Sequence, residues 1–255
     1  MKTTRIPVFL MVGLLAALNS CSGKKEILTL SEITDYAPLT VGKYITYRVD
    51  SLVFPNFGRS IEIRKYQIKH VIDAVFTDGM GRPSYRILRY QTDSTASRPW
   101  QPNGTYYITP SSDQLEVVED NLRVLKLHQP LRADNTWKGN RFLPSDTHEP
   151  LYNFSNDDDM ANWEFKIEGA PATFTYRRRT YNNVLSVEAV NDILNVPITN
   201  TNVFASYSRS VEKFAKNIGL VYRQHELWEH QTNTGGSGGP YKVGFGITQW
   251  MIDHN

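Results

Sequence analysis

Alternation of apolar and polar residues with a period of two constrains this chain more than any other feature. Trp163, Phe165 and Ile167 alternate with Glu164, Lys166 and Glu168, and Ile45, Tyr47 and Val49 with Thr46, Arg48 and Asp50. Successive side chains of a strand point to opposite faces, so this spacing buries one face and wets the other. Leu185, Val187 and Ala189 repeat the pattern, as do Leu220 with Tyr222, and Tyr241, Val243, Phe245 and Ile247. Past the N-terminal apolar run, no stretch carries an apolar helical stripe of useful length. Turn-forming clusters punctuate the strands: Asp78-Gly79-Met80-Gly81, Pro102-Asn103-Gly104, Glu119-Asp120-Asn121, Lys138-Gly139-Asn140 and Asn182-Asn183. The expected fold is all-β: a single domain of mostly antiparallel, strongly twisted sheet, or an open barrel or sandwich, preceded by a signal helix.

Within this pattern, Ile61–Ile72 changes phase. Its apolar residues are odd at Ile61 and Ile63 and even at Tyr66 and Ile68. A one-residue slip turns the wrong face inward, so a bulge is expected near Arg64-Lys65. The strands around Arg59–Thr77 and Leu220–Thr232 are expected to be long. Leu28–Ile33 is expected to form a helical turn or a docking strand. Gly235-Gly236-Ser237-Gly238-Gly239 reads as a flexible loop, and Pro240 to Asn255 as one last strand returning to the sheet. No repeat of fixed period and no linker divides the chain.

The N-terminus gives an address. Met1, Lys2 and Arg5 precede an apolar run from Ile6 to Leu18, too short for the roughly 20 residues of a membrane span but in the order of a secretory signal. Leu18-Asn19-Ser20-Cys21 resembles the lipobox of bacterial lipoproteins, which implies that Cys21 becomes a lipidated first residue. The expected organisation is a signal peptide over 1–20, a lipidated tether over 21–34 and one β-rich domain over 35–255. Cys21 is the sole cysteine, so no internal disulfide is possible. Acyl chains there would tether the protein to a membrane, each buried methylene contributing about 0.8 kcal/mol. Ser22 resembles the residue after the cysteine in lipoproteins sorted to the outer membrane, and Glu26 is the only acid of the early tether. The periplasmic face of that membrane is therefore favoured over the cell surface.

Losing residues 1–20 leaves 235 of 255 residues and removes Lys2 and Arg5, so the 28 basic residues fall to 26 and match the 26 acidic ones. Such a balance gives no general attraction to nucleic acid. A hydrophobic content of 40% supports a packed core rather than disorder. The 14 tyrosines suit half-exposed sheet faces and cavity linings.

No chemical motif rises above chance. His225-Glu226-Leu227-Trp228-Glu229-His230 resembles a zinc-protease helix, but that motif spaces its histidines by four, whereas these lie five apart and on opposite faces of a strand. The stretch reads as an exposed polar strand with Trp228 on the core side. Asp157-Asp158-Asp159 lacks the spaced acids and glycine of a calcium loop and reads as an acidic loop before Trp163. Arg177-Arg178-Arg179 reads as a solvated strand face. There is no Gly-x-Ser-x-Gly elbow and no phosphate-binding glycine loop. Asp50-Ser51-Leu52 and Asp93-Ser94-Thr95 resemble short O-glycosylation signals of Bacteroidetes-type bacteria and fit export. No catalytic residue, metal ligand or cofactor is expected.

Asp35–Ser51, with its Pro38-Leu39 turn and Val41-Gly42 pair, resembles the opening of small uncharacterised outer-membrane lipoproteins of Bacteroidetes-type bacteria. Leu125–Asn140, Phe214–Tyr222 and Gly244-Phe245-Gly246 extend the resemblance. It implies an envelope location and a β architecture, and it carries no catalytic residue. The expected function is a non-enzymatic binding or scaffold module at the membrane, with carriage of an amphiphile as one specific form. Its partner would be a lipid, a glycan or an envelope protein. The alternative is a polysaccharide or peptidoglycan hydrolase.

Overall fold

A computed structural model describes residues 31–152, 154–157, 159–233 and 238–255. The signal segment, Cys21, Ser22, Glu26, most of the 21–34 tether and the Gly235-Gly236-Ser237 part of the glycine loop lie outside the described residues. Ser31–Asn255 forms one compact unit.

The described residues fold as thirteen strands: β1 (Tyr44–Val53), β2 (Glu62–Thr77), β3 (Pro83–Asp93), β4 (Gln101–Pro110), β5 (Gln114–Glu119), β6 (Leu122–His128), β7 (Thr136–Trp137), β8 (Phe165–Ile167), β9 (Ala172–Tyr176), β10 (Arg179–Leu194), β11 (Ala205–Ala215), β12 (Gly219–Gln231) and β13 (Tyr241–His254). Their order is β6-β5-β4-β3-β2-β1-β13-β12-β11-β10-β8-β7, with β9 paired to β10 alone. Every ladder is antiparallel. The first and last strands pair in the middle of this order, and its two ends meet. Leu125 N–H donates to the Gly139 carbonyl at 2.9 Å, and Trp137 Nε1 donates to the Leu125 carbonyl at 2.8 Å. The result is a nearly closed twelve-strand barrel, the all-β single domain expected.

Alternation holds at the expected places. Leu185 and Val187, Tyr47 and Val49, and Phe165 and Ile167 are buried on the inner face. The last strand does return to the sheet, between β1 and β12. The phase change in β2 has a different origin from the one expected. Pairing with β1 runs unbroken from Val53↔Glu62 to Tyr44↔Val71, with no bulge at Arg64-Lys65. Ile61 and Ile63 are instead exposed, and the register slips at Asp73, against β3.

Two expected turns are irregularities inside strands. Pro102-Asn103-Gly104 belongs to β4, where the register with β3 shifts opposite Arg89 and Gly104 takes φ 97°. Asn182-Asn183 belongs to β10, at the register shift within its ladder with β9, between Tyr181↔Phe174 and Val184↔Ala172. Asp120 and Asn121, at φ 51° and 63°, do form the two-residue turn between β5 and β6. Arg177-Arg178-Arg179 is a hairpin turn rather than a strand face: Arg177 and Arg178 join β9 to β10, Arg177 with φ 54°. That hairpin lies on the outer face, where Phe174 meets Tyr222 (ring centroids 5.4 Å) and Tyr176 stacks on Trp250 (5.2 Å).

Gly219 opens β12 at φ 111°, a conformation that L side chains rarely adopt. A Gly219→Val variant is expected to lose about 1–3 kcal/mol of stability through backbone strain. Urea unfolding read by circular dichroism checks it, and an unchanged midpoint would refute the role.

Each mouth of the barrel is filled by a different segment. The short helix α1 (Ile33–Tyr36) sits where β12 begins, with Ile33 and Tyr36 buried against Leu115, Leu127 and Phe214. The other mouth takes the β7–β8 connection, which holds the helix α2 (Glu149–Tyr152) and a 3₁₀ turn at Met160–Asn162. Phe154 and Met160 of this cap pack on Leu227 and Phe245. Barrels of about eight strands fill their interior with side chains, and those of about sixteen leave a channel. Twelve strands leave a lumen that the two plugs shorten without filling.

Candidate functional site

The strands that form the wall also select what faces the lumen. On β12, Arg223, His225 and Leu227 face inward, with Arg223↔Glu212 and His225↔Ser210 on β11 and Arg223↔Gln249 on β13. From β2 come Ile68, His70 and Ile72, and from β3 Ile87, Arg89 and Gln91, paired in the register Ile68↔Gln91, His70↔Arg89 and Ile72↔Ile87. Glu119 ends β5, and Lys126 lies on β6 beside the slip between Leu115 and Glu116.

These side chains build a charged layer across the barrel. Glu212 Oε1 accepts from Lys126 Nζ and from Arg223 Nε, each at 2.7 Å. Arg89 donates to Glu119 Oε1 at 2.6 Å and to Asp120 Oδ1 at 3.0 Å. Arg223 stands 3.7 Å from Glu119 Oε2, which links the two groups without a hydrogen bond. Burial works to raise the Glu212 carboxyl, but the Lys126 ammonium and the Arg223 guanidinium outweigh it and pull it down to about 2. Burial lowers Lys126, with Glu212 opposing.

Two chambers flank the layer. A small one of about 110 Å³ lies toward α1, among Ile45, Ile72, Ile108 and Phe214. A larger one of about 480 Å³ lies toward the cap, among Ile68, Val124, Leu143, Trp163, Phe165 and Ile247. His70, Val117, Glu119, Lys126, Glu212 and Arg223 line both. Asp120 and Leu151 mark where the larger chamber meets solvent, Leu151 being 75% exposed.

Buried polar atoms are normally paired, yet among the described residues six have no partner: Thr46 Oγ1, Asp157 Oδ1, His70 Nε2, Arg89 Nε, His148 Nε2 and Gln249 Oε1. The last four belong to residues that line the larger chamber. The Tyr106 hydroxyl meets His70 Nδ1 at 2.9 Å. Donation by the hydroxyl leaves the ring proton on Nε2, pointing a donor at the chamber. Burial, with Arg223 and Arg89 nearby, pushes His70 down to about 3. Burial also takes His225 to about 3, helped by His148, Lys126 and Arg223. Both imidazoles are therefore neutral at pH 7.

The residues singled out in the sequence fall mostly elsewhere. His225 and His230 do lie on opposite faces, and His230 Nε2 donates to the Thr201 carbonyl at 3.0 Å rather than joining His225. Trp228 faces away from Leu227, on the outer side with Tyr207, and not toward the lumen as expected. It is nonetheless 8% exposed, because Tyr207 stacks on it and Lys242 covers its ring. Asp157 is buried in the cap and accepts from the His148 backbone N–H, and Asp159 accepts from Asn162. Among the described residues no group of three or more His, Cys, Asp or Glu could hold a metal ion.

The charged layer was missed, although a signal for it stands in the strands. Charged or imidazole side chains occupy inward positions in otherwise apolar phases: His70 between Ile68 and Ile72, Arg89 between Ile87 and Gln91, Arg223 and His225 before Leu227.

An Asp157→Asn substitution weakens the acceptor that ties the cap at His148. It is expected to cost about 1–2 kcal/mol and to raise hydrogen exchange of the amides at 145–157 before the rest of the barrel. Uniform exchange would refute a separate hold on the cap. No protein-family model matches this chain, and no curated protein matches it either.

Proposed function

We propose that this is a lipid-anchored envelope protein whose barrel binds a small amphiphile in its lumen. The observation that carries the reading is the larger chamber: apolar walls, a charged layer at its floor and four unpartnered polar atoms on its lining. Small-molecule sites take about 300–1,000 Å³, apolar for the most part with a few placed polar groups, and about 480 Å³ lies in that range. A purely structural lumen would close over its polar groups, since each orphaned donor costs about 1–3 kcal/mol.

The hydrolase alternative fares worse on chemistry. An acid catalyst needs a carboxyl raised toward neutrality, whereas Glu212 is held deprotonated between two cations. Anchorage at Cys21 and residence at the outer membrane belong to the same proposal and rest on the N-terminal sequence.

The test is native mass spectrometry of the Ser22–Asn255 chain purified from its secreted form, followed by solvent extraction. A co-purifying amphiphile, released on unfolding, is the expected result. A clean protein mass, together with no uptake of added alkyl amphiphiles, would overturn the proposal.

A further inference from the structure

With Asp120 the layer holds three cations and three acids, but its buried charges do not cancel, and that buried excess indicates the ligand. Arg89, Lys126 and Arg223 are mostly buried, with side chains 15%, 18% and 19% exposed. Against them stand two carboxylates, Glu212 and the half-buried Glu119, 9% and 24% exposed, while the third acid, Asp120, is 63% exposed at the mouth. Asp157 lies behind His148 in the cap and does not line the chamber.

Donors are in similar excess. Each guanidinium carries five N–H groups and the ammonium three. Among the described residues, four bonds to carboxylates account for these: two from Arg89, one from Arg223 and one from Lys126. Arg89 Nε is buried without a partner, and His70 Nε2 presents a further donor. The two histidines cannot supply the missing negative charge, nor can Gln249.

Resting on the reading of the lumen as an amphiphile site, we infer that the head group is anionic, a carboxylate or a phosphate monoester received by Arg89 and Arg223. Planar guanidinium groups match the oxygens of both in paired hydrogen bonds. The tail lies in the larger chamber, along Ile68, Trp163, Phe165 and Ile247. A buried anion here removes the surplus positive charge, whereas a cationic head would add to it.

The experiment measures affinity for four ligands of one tail length: dodecanoate, dodecyl phosphate, dodecanol and dodecyltrimethylammonium. It uses the delipidated Ser22–Asn255 chain, which contains the whole compact unit. Trp163, in the chamber wall, supplies a fluorescence signal, and calorimetry gives an independent Kd. At least one of the two anions is expected to bind tenfold or more tighter than dodecanol, and the cation more weakly than dodecanol.

The paired variant Arg89→Gln, Glu119→Gln removes one cation with the carboxylate it bonds at 2.6 Å, leaving Asp120 to solvent. It is expected to narrow the ratio of anion to dodecanol affinity at least fivefold. Equal affinity for dodecanol and both anions, or preference for the cation, would overturn the anionic head group and leave the amphiphile reading in place. Failure of all four ligands to bind would overturn both.

Discussion

Acidification from pH 7 to about pH 4 is expected to unfold this protein, with most of the loss falling above the range in which ordinary carboxylates titrate. His70 and His225 are neutral in the barrel and protonate there only near pH 3, whereas an unfolded histidine takes up its proton near about 6.5. Below that value the unfolded chain binds two protons that the folded chain refuses. Stability that is fully present above about pH 6.5 is therefore lost as pH falls toward 3. The slope is about 2.7 kcal/mol per pH unit for two sites, and each site forfeits up to about 5 kcal/mol over the whole window. A domain of ordinary stability holds about 5–15 kcal/mol, so two such sites consume most of it.

Burial lowers His148 as well, with Asp157 opposing, and adds in the same direction. Urea midpoints measured between pH 7.5 and 4 check the slope. A His225→Gln variant should lose about half of it. A flat profile down to pH 4.5 would show that these imidazoles are hydrated in solution.

The second large effect sits at Glu212. Replacing it with Gln leaves Lys126 and Arg223 side by side in the lumen without the negative charge that both share. Removing one partner of a buried ion pair costs about 3–5 kcal/mol, because the remaining charge stays desolvated. An additional acid-dependent component should vanish with it. The folded carboxyl titrates near 2 and the unfolded one near 4.5, so its contribution is present above 4.5 and is lost as pH falls through that window. The paired variant Glu212→Met, Lys126→Met removes the acid with one of its two bases and should be milder, Arg223 keeping only Glu119 at 3.7 Å. Urea unfolding at pH 7 measures both. A Glu212→Gln variant within about 1 kcal/mol of the parent protein would refute the ion-pair role.

Strand content was legible because a one-sided wall needs period-two alternation, and Tyr47 with Val49 or Phe165 with Ile167 obey it. Closure was not. It depends on β6 meeting β7 through Leu125, Trp137 and Gly139, three residues whose contact no local pattern announces.

Face assignment failed where a bulge intervenes. Leu220 and Tyr222 look like one apolar face, but Lys213 pairs with Tyr222 and Phe214 with Leu220, so Val221 is unpaired and the phase switches there. Tyr222 consequently lies outside with Phe174, and Arg223 inside. Trp228 misled for a related reason: a large aromatic ring is also covered on an outer face once Tyr207 and Lys242 lie over it. The candidate site was invisible to motif reading because its members come one or two at a time from β2, β3, β5, β6, β11 and β12. Only the barrel register brings them to one level.

Pairing of the first strand with the last has a consequence for how the chain is made. Tyr44 bonds to Asp253 across 209 positions of sequence, so one side of β1 has no neighbour until the final residues emerge. The β1–β6 meander can assemble early through short hairpins, but it then presents an open sheet edge throughout synthesis. Such an edge templates association with other chains, and long-range closures of this kind fold slowly. The nascent protein is thus most vulnerable to aggregation in the interval before β13 arrives. Truncation by even a single C-terminal strand would leave the barrel permanently in that state.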